Sequence, residues 1–98
     1  MQQLRFEWNP QKAASNIRRH KVSFEEAQSV FLDDEALLVG DDEHSETEDR
    51  FVIIGVSFWL RVLIVCHCYR ESDEVVRIIS ARKANRSEQR QYEERKRP

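Results

Sequence analysis

The sequence predicts a small α+β domain: a strand, two helices, an antiparallel sheet and a C-terminal helix, in that order. Three observations carry this. The chain has 98 residues, the size of one domain, and surface scaling has such a chain bury about 65% of its unfolded surface. Residues 1–98 are therefore expected to share one core. The apolar spacing alternates every second residue near the N-terminus, turns helical after residue 9, and alternates again from residue 36. Cap residues also stand where those changes occur: Asn9-Pro10, Ser23 and Asn85.

Each element follows from its own residues. Leu4, Phe6 and Trp8 alternate with polar neighbours, as in a half-buried strand. Asn9 can cap the helix that Pro10 opens, with Ala13, Ala14 and Ile17 as its thin apolar stripe. Ser23 and Glu26 have capping-box spacing, and Phe24, Ala27, Val30 and Phe31 form the buried stripe of a second helix. Ala36–Gly40 reads as a short strand, and Asp41–Glu48 as a loop too charged to bury. Three strands follow, over Arg50–Ser57, Leu60–Tyr69 and Val75–Ser80. Arg86–Lys96 has helical composition, with Asn85 and Glu88 placed for a second capping box. Its one large apolar residue is Tyr92. A helix of about a dozen residues is marginal alone in water, so this one must lean on the sheet through Tyr92 or order on a partner.

Register follows if apolar sets must coincide. Pairing Val56 with Val62 puts Phe51 near His67. Pairing Cys66 with Ile78 puts His67 opposite Arg77. A slip of one residue would set Arg77 beside Cys68, and an unpaired guanidinium inside a core costs several kcal/mol. The expected sheet thus has a core face carrying Leu60, Val62, Ile64, Cys66 and Cys68. Its other, semi-apolar face carries Arg61, His67 and Arg77.

Composition excludes several classes. Apolar residues are 40% and charged residues 35%, with 2 Gly and 2 Pro, which excludes collagen-like and low-complexity chains. No apolar run nears the length of a membrane span, and residues 1–12 lack the apolar stretch of a secretory signal. The two cysteines, Cys66 and Cys68, suit a reducing compartment, so a cytosolic protein is expected. The net charge is −2, but it is unevenly spread. Residues 1–24 carry +4 and residues 76–98 carry +5, whereas residues 25–49 hold eleven acids and no Lys or Arg. A basic pole can attract a polyanion even in a slightly acidic molecule. The plain alternative is a set of solvated faces.

The segments FEWNPQKAASNIRRHKVSFEEA, EDRFVIIGVS, RVLIVCHCYRE and VRIISARKANRSEQRQYEE, in this order, resemble the BrnT family of type II toxin–antitoxin ribonucleases. The resemblance runs over roughly residues 6–94; FEWNP, HKVSFEEA and RIISARKA are specific together and weak singly. It implies a RelE-like fold, metal-independent RNA cleavage and a bacterial cytosolic setting. It also implies a cognate BrnA-like antitoxin of the ribbon-helix-helix type, with operator DNA reached only through that antitoxin. The chain departs from the family at the turn between the central strands. Phe58-Trp59-Leu60 stands where a glycine is usual. Cys68 stands where Thr or Val often follows the strand histidine.

RNA cleavage without a metal needs the 2′-OH deprotonated, the pentacoordinate phosphate stabilised and the 5′-oxygen protonated. An imidazole suits the proton transfers, and the planar fork of arginine suits the phosphate. His67 is the leading acid or base, with a hydrogen-bonded sheet histidine as the alternative. Arg77 and Arg82 are expected beside it as catalytic cations, with plain surface charges as the alternative. Their odd spacing places them on opposite faces of an ideal strand, unless the chain leaves the strand after Ala81. Arg70 and Lys83 are candidate RNA-binding cations, or plain surface charges. Tyr92 can stack on a base or anchor its helix. His20 can support the helix end, as an auxiliary or structural residue paired with Glu26. His44 reads as solvated.

Neighbouring strand positions face opposite ways, so Cys66-His67-Cys68 makes a poor metal set, and no metal or other cofactor is expected. Phe58, Trp59 and Leu60 form an apolar turn that either contacts the antitoxin or packs back over the sheet edge. The acidic loop can face a basic region of the antitoxin. A second reading of the whole is a non-catalytic binding module that only pairs with an antitoxin-like partner.

Overall fold

The computed structural model describes residues 4–40, 50–70 and 74–96. The expected loop 41–48, with His44, lies outside these residues. The strands are β1 (Arg5–Glu7), β2 (Leu37–Gly40), β3 (Phe51–Val56), β4 (Val62–Arg70) and β5 (Val75–Lys83). The helices are α1 (Pro10–His20), α2 (Phe24–Ser29) and α3 (Arg86–Lys96), with a 3₁₀ turn at Val30–Leu32. The five strands form one sheet in the order β1-β5-β4-β3-β2. Neighbours pair antiparallel except β1, which runs parallel to β5. The α+β class and the order of elements are as the sequence predicts.

The caps work as read. The Asn9 side chain accepts from the backbone N–H groups of Gln11 (2.8 Å) and Lys12 (3.1 Å). Ser23 Oγ accepts from Glu26 N at 3.0 Å. Asn85 and Glu88 close a reciprocal capping box, at 2.8 and 2.9 Å. The inner face of α1 differs from its predicted stripe: Ala13 is half-buried, Ala14 and Ile17 are exposed, and the buried residue is Asn16. The Asn16 amide donates to Ala81 O (2.8 Å) and Val22 O (2.9 Å), and its oxygen accepts from Ala81 N (3.1 Å). β1 pairs with β5 only as far as Arg77. Asn16 thus takes the place of a neighbouring strand where β1 has stopped, satisfying backbone groups that burial would otherwise orphan.

Both sheet faces are covered, unequally. The main core packs α1 and α2 on one face through Val22, Phe24, Ala27, Val30, Leu63, Val65, Val76, Ile78 and Ala81. A smaller cluster joins α3 to the other face through Ile54, Ile64, Ala84 and Tyr92, with Leu37, Val52, Val56 and Val62 alongside. The predicted face assignment is therefore reversed. Leu63, Val65 and His67 look into the main core, and Cys66 and Cys68 look away from it. Both sets are apolar enough to be buried, so period-two reasoning does not say which set the helices cover.

The Val56–Val62 and Phe51–His67 pairings are found. The Cys66–Ile78 pairing is not: Cys66 faces Ser80, His67 faces Ile78 and Cys68 faces Arg77, with a bulge that leaves Ile79 unmatched. The extra residue resets the phase of β5, so Val76, Ile78 and Ala81 all reach the main core despite mixed spacing. The slip judged too costly is the observed register. It costs little because Arg77 lies on the less covered face and donates to Glu7 Oε2 at 2.6 Å.

A carboxylate ties α3 down. Tyr92, 2% exposed, donates its hydroxyl to Asp33 Oδ2 at 2.6 Å, and the same oxygen accepts from Val56 N at 2.9 Å. Gly55 makes room for this. A Cβ there would lie 2.9 Å from Val30 Cγ1 and 3.0 Å from both Ala36 Cβ and Asp33 Oδ2.

Candidate nucleic-acid interface

The bulge decides where the cations go. Because β5 stays a strand to Lys83 and carries one extra residue, Arg77 and Arg82 share a face, opposite Cys68 and Ile64. The sequence reading needed the chain to leave the strand for this; the bulge achieves it within the strand. Arg70, opposite Val75, falls on the same face by parity. Arg50, not singled out from the sequence, lines a cavity of about 280 Å³ there with Val52, Ile64, Cys66, Ile79, Ser80 and Arg82. Arg50 had one legible signal, as the base that ends the acidic run just before an apolar strand.

Carboxylates hold three of these guanidiniums in place. Glu7 accepts from Arg77 and lies 3.8 Å from Arg70 Nε. Glu88 takes Arg82 as a fork, with both bonds at 2.8 Å. That fork keeps the Glu88 carboxyl below its ordinary value and raises Arg82. Arginine has five N–H donors in a plane, so the clamped cations keep donors for a further oxyanion. Three apolar or polarisable surfaces, Cys66, Ile79 and Val52, floor the space between.

The cavity continues round the edge of β5 beyond the end of β1. Ile79 and Ser80 also line a second cavity of about 200 Å³ with Lys12, Ser15, Asn16, Arg19 and His20 of α1. The bulge is therefore the saddle between the open sheet face and the basic side of α1. His20 is half-buried at the C-terminal end of α1.

His67 is not part of this arrangement. It is 0% exposed, on the face opposite Arg77, and edge-on to Phe31 at 4.8 Å. Its Nδ1 lies 3.3 Å from Val65 O and its Nε2 3.3 Å from Tyr69 Oη. A carbonyl only accepts, so Nδ1 carries the proton and Nε2 accepts from Tyr69. Burial pushes the imidazole down to about 4, against the pull of the Val65 carbonyl. The predicted meeting of His67 with Arg77 and Arg82 is overturned, because the residue shares its face with the main core.

Other expectations divide likewise. Tyr92 is a helix anchor with its hydroxyl engaged, so it does not offer a ring to RNA; burial and the Asp33 bond raise its phenol above the ordinary value. Lys83 is exposed but pairs with Leu63, on the face away from Arg82. Glu26 does not pair with His20. Its buried carboxylate accepts from Arg61 Nε (2.9 Å), from Arg61 Nη2 and from Ser57 Oγ (2.6 Å). Burial alone would raise Glu26, and the bonds from Arg61 and Ser57 overcome it and hold it low. Sequence reasoning missed Arg61 as the true partner, 35 residues away. Cys66 and Cys68 face away from His67, as strand alternation requires. Among the described residues no cluster of His, Cys, Asp or Glu is placed to hold a metal ion.

The turn Phe58-Trp59-Leu60 does not fold back over the sheet. The three residues are 57%, 68% and 83% exposed. Leu60 N donates to Ser57 O (2.8 Å) and Ser57 N to Arg61 O (2.9 Å), closing a three-residue hairpin loop. Such a loop ends in a left-handed residue, and Leu60 takes it with φ 63°. A non-glycine residue there costs roughly 1–2 kcal/mol.

Among the described residues, no helix is long and apolar enough to cross a membrane. Comparison with known proteins places this fold. The Brucella abortus ribonuclease toxin BrnT has a similar crystal structure, with a TM-score of 0.65 and 21% identity, covering 86% of this chain and 100% of that one. No curated protein matches the chain. The family described as the ribonuclease toxin, BrnT, of type II toxin–antitoxin systems matches residues 8–88. The match spans most of the sequence, from just before α1 into the start of α3, with strands β2 to β5 and their basic face, and the chain belongs to the BrnT family of ribonuclease toxins.

Proposed function

We propose that this chain is a metal-independent endoribonuclease that halts translation and growth from the cytoplasm until a cognate antitoxin neutralises it. The observation that carries this is the gathering of Arg50, Arg77 and Arg82, with Arg70 at the strand end, on the sheet face that α3 leaves open. Guanidiniums there supply the positive charge that a cleaving phosphate needs as its negative charge grows. Since His67 is sealed away, His20 is the imidazole that borders the same groove, beyond the Ile79–Ser80 bulge. In this reading a phosphodiester sits over the bulge. Arg77 and Arg82 hold its non-bridging oxygens, and His20 moves the proton of the 2′-OH or of the leaving 5′-oxygen. Arg70 and Arg50 steer flanking phosphates. Lys12 and Arg19 extend the track along α1.

The partner in this reading is a BrnA-like ribbon-helix-helix antitoxin that meets the apolar turn Phe58-Trp59-Leu60 and carries the pair to operator DNA. The test uses purified chain, free of antitoxin, incubated with RNA in EDTA. Cleavage with 2′,3′-cyclic phosphate ends is expected, and His20→Ala should slow it by about 10²-fold or more. Cleavage that appears only when a divalent metal is added would contradict the mechanism. Failure of the wild-type chain to cleave RNA or arrest growth would favour the binding-module reading.

A further inference from the structure

A second surface lies away from the guanidinium face. Leu32, 84% exposed, and Phe58 flank a groove of about 360 Å³ lined also by Phe6, Glu25, Gln28 and Ser29. Trp59 stands edge-on against Phe58, with ring centroids 5.1 Å apart. Scattered exposed apolar residues need no explanation, but a contiguous set around a groove marks an interaction surface.

This platform is held in shape before anything binds. Ser29 Oγ of α2 accepts from Phe58 N at 3.0 Å, and Ser57 Oγ accepts from Trp59 N at 3.2 Å while donating to buried Glu26. The turn is thus fixed to α2, and its apolar side chains need little further ordering on contact. Leu60 keeps a large apolar side chain at a backbone position that favours glycine.

Charge selects the occupant. Glu25 lies in the groove, exposed Asp34 and Glu35 follow Leu32, and residues 25–40 contain no Lys or Arg. RNA would be repelled from this side, and so would an anionic membrane surface. We propose that the Leu32–Phe58 groove, with the hairpin tip beside it, is the docking site of the antitoxin, and that it seats a segment of large apolar side chains flanked by Lys or Arg. This rests on the reading of the chain as a toxin whose family works with an antitoxin. It adds the Leu32–Phe58 groove to the turn already named, and the chemistry of the segment that binds there.

The experiment measures affinity for the purified product of the open reading frame beside this gene, the expected antitoxin, by calorimetry at low and high salt. Leu32→Ser removes an apolar wall of the groove and Trp59→Ala the ring that stands beside it against Phe58, and each should weaken binding about 30-fold or more. Glu25→Lys should weaken binding at low salt and much less at high salt. Arg18→Ala, on the exposed side of α1, should bind as wild type. These side chains are exposed, and thermal melts of each variant verify that the fold persists. Unchanged affinity in both apolar variants overturns the docking site while leaving the toxin reading intact. Absence of any binding by the wild-type chain overturns both. A stable homodimer of the free chain that Leu32→Ser dissolves would make a second copy the occupant, and would also overturn the proposal.

Discussion

Sealing His67 into the core should leave a signature in the dependence of stability on pH. The imidazole titrates at about 4 in the folded chain and at 6.5 when unfolded. The folded state therefore favours the neutral form. Its contribution is full above the unfolded value and is lost as pH falls from about 6.5 through about 4, where the unfolded chain binds more protons. From these two values the loss is about 2 kcal/mol on going from pH 8 to pH 5, and about 3 kcal/mol by pH 4. Glu26 and Glu88 are depressed carboxyls, so their stabilisation is present above the ordinary carboxylate value of 4.5 and fades only below it. Between about pH 6.5 and 5 the loss thus comes from the histidine and not from these two carboxyls. Urea unfolding at a series of pH values measures the loss, and a proton NMR titration of the imidazole locates it. A flat stability between pH 7 and 5, or a His67 ring that titrates near 6.5 in the folded chain, would refute the burial argument.

Three further substitutions probe the packing. Gly55→Ala forces a Cβ against Val30 and Ala36, and should lower stability by about 1–3 kcal/mol in chemical denaturation. Tyr92→Phe removes the hydroxyl bond to Asp33; a loss of about 1–2 kcal/mol is expected, together with reduced helix signal from α3 in circular dichroism. Arg61→Met leaves the buried Glu26 carboxylate with Ser57 as its side-chain hydrogen-bond donor. A cost of about 3 kcal/mol is expected at neutral pH, shrinking when Glu26→Gln is added, and a double-mutant cycle reads that coupling.

Much of this architecture was legible because it is local. Asn9, Ser23 and Asn85 cap helices through bonds that reach two or three residues, so spacing alone reveals them. The Phe51–His67 pairing is legible because matching Val56 with Val62 makes the apolar sets of β3 and β4 coincide. The long-range choices were not legible. Leu63, Val65 and Ile64 are all apolar, and nothing in alternation tells which face α1 and α2 will cover. A single unmatched residue, Ile79, then changes the phase of everything after it. Those two facts together moved His67 from the open face into the core and brought Arg82 to Arg77's side. Asn16 and Arg61 act across 65 and 35 residues respectively, on partners that only the folded chain assembles. Exposure of Phe58-Trp59-Leu60 was readable as one of two outcomes, and the hydrogen bonds of the turn decide between them.

The proposed function places RNA across the guanidinium face at the β5 bulge. Its most direct test is a titration of isotope-labelled chain with an uncleavable 2′-O-methyl RNA, following the Arg Nε–Hε and His ring signals. Arg50, Arg77, Arg82 and His20 should shift together and saturate at one stoichiometry, while His67 stays unmoved. Shifts confined to other surfaces, or binding that leaves Arg77 and Arg82 unchanged, would contradict it.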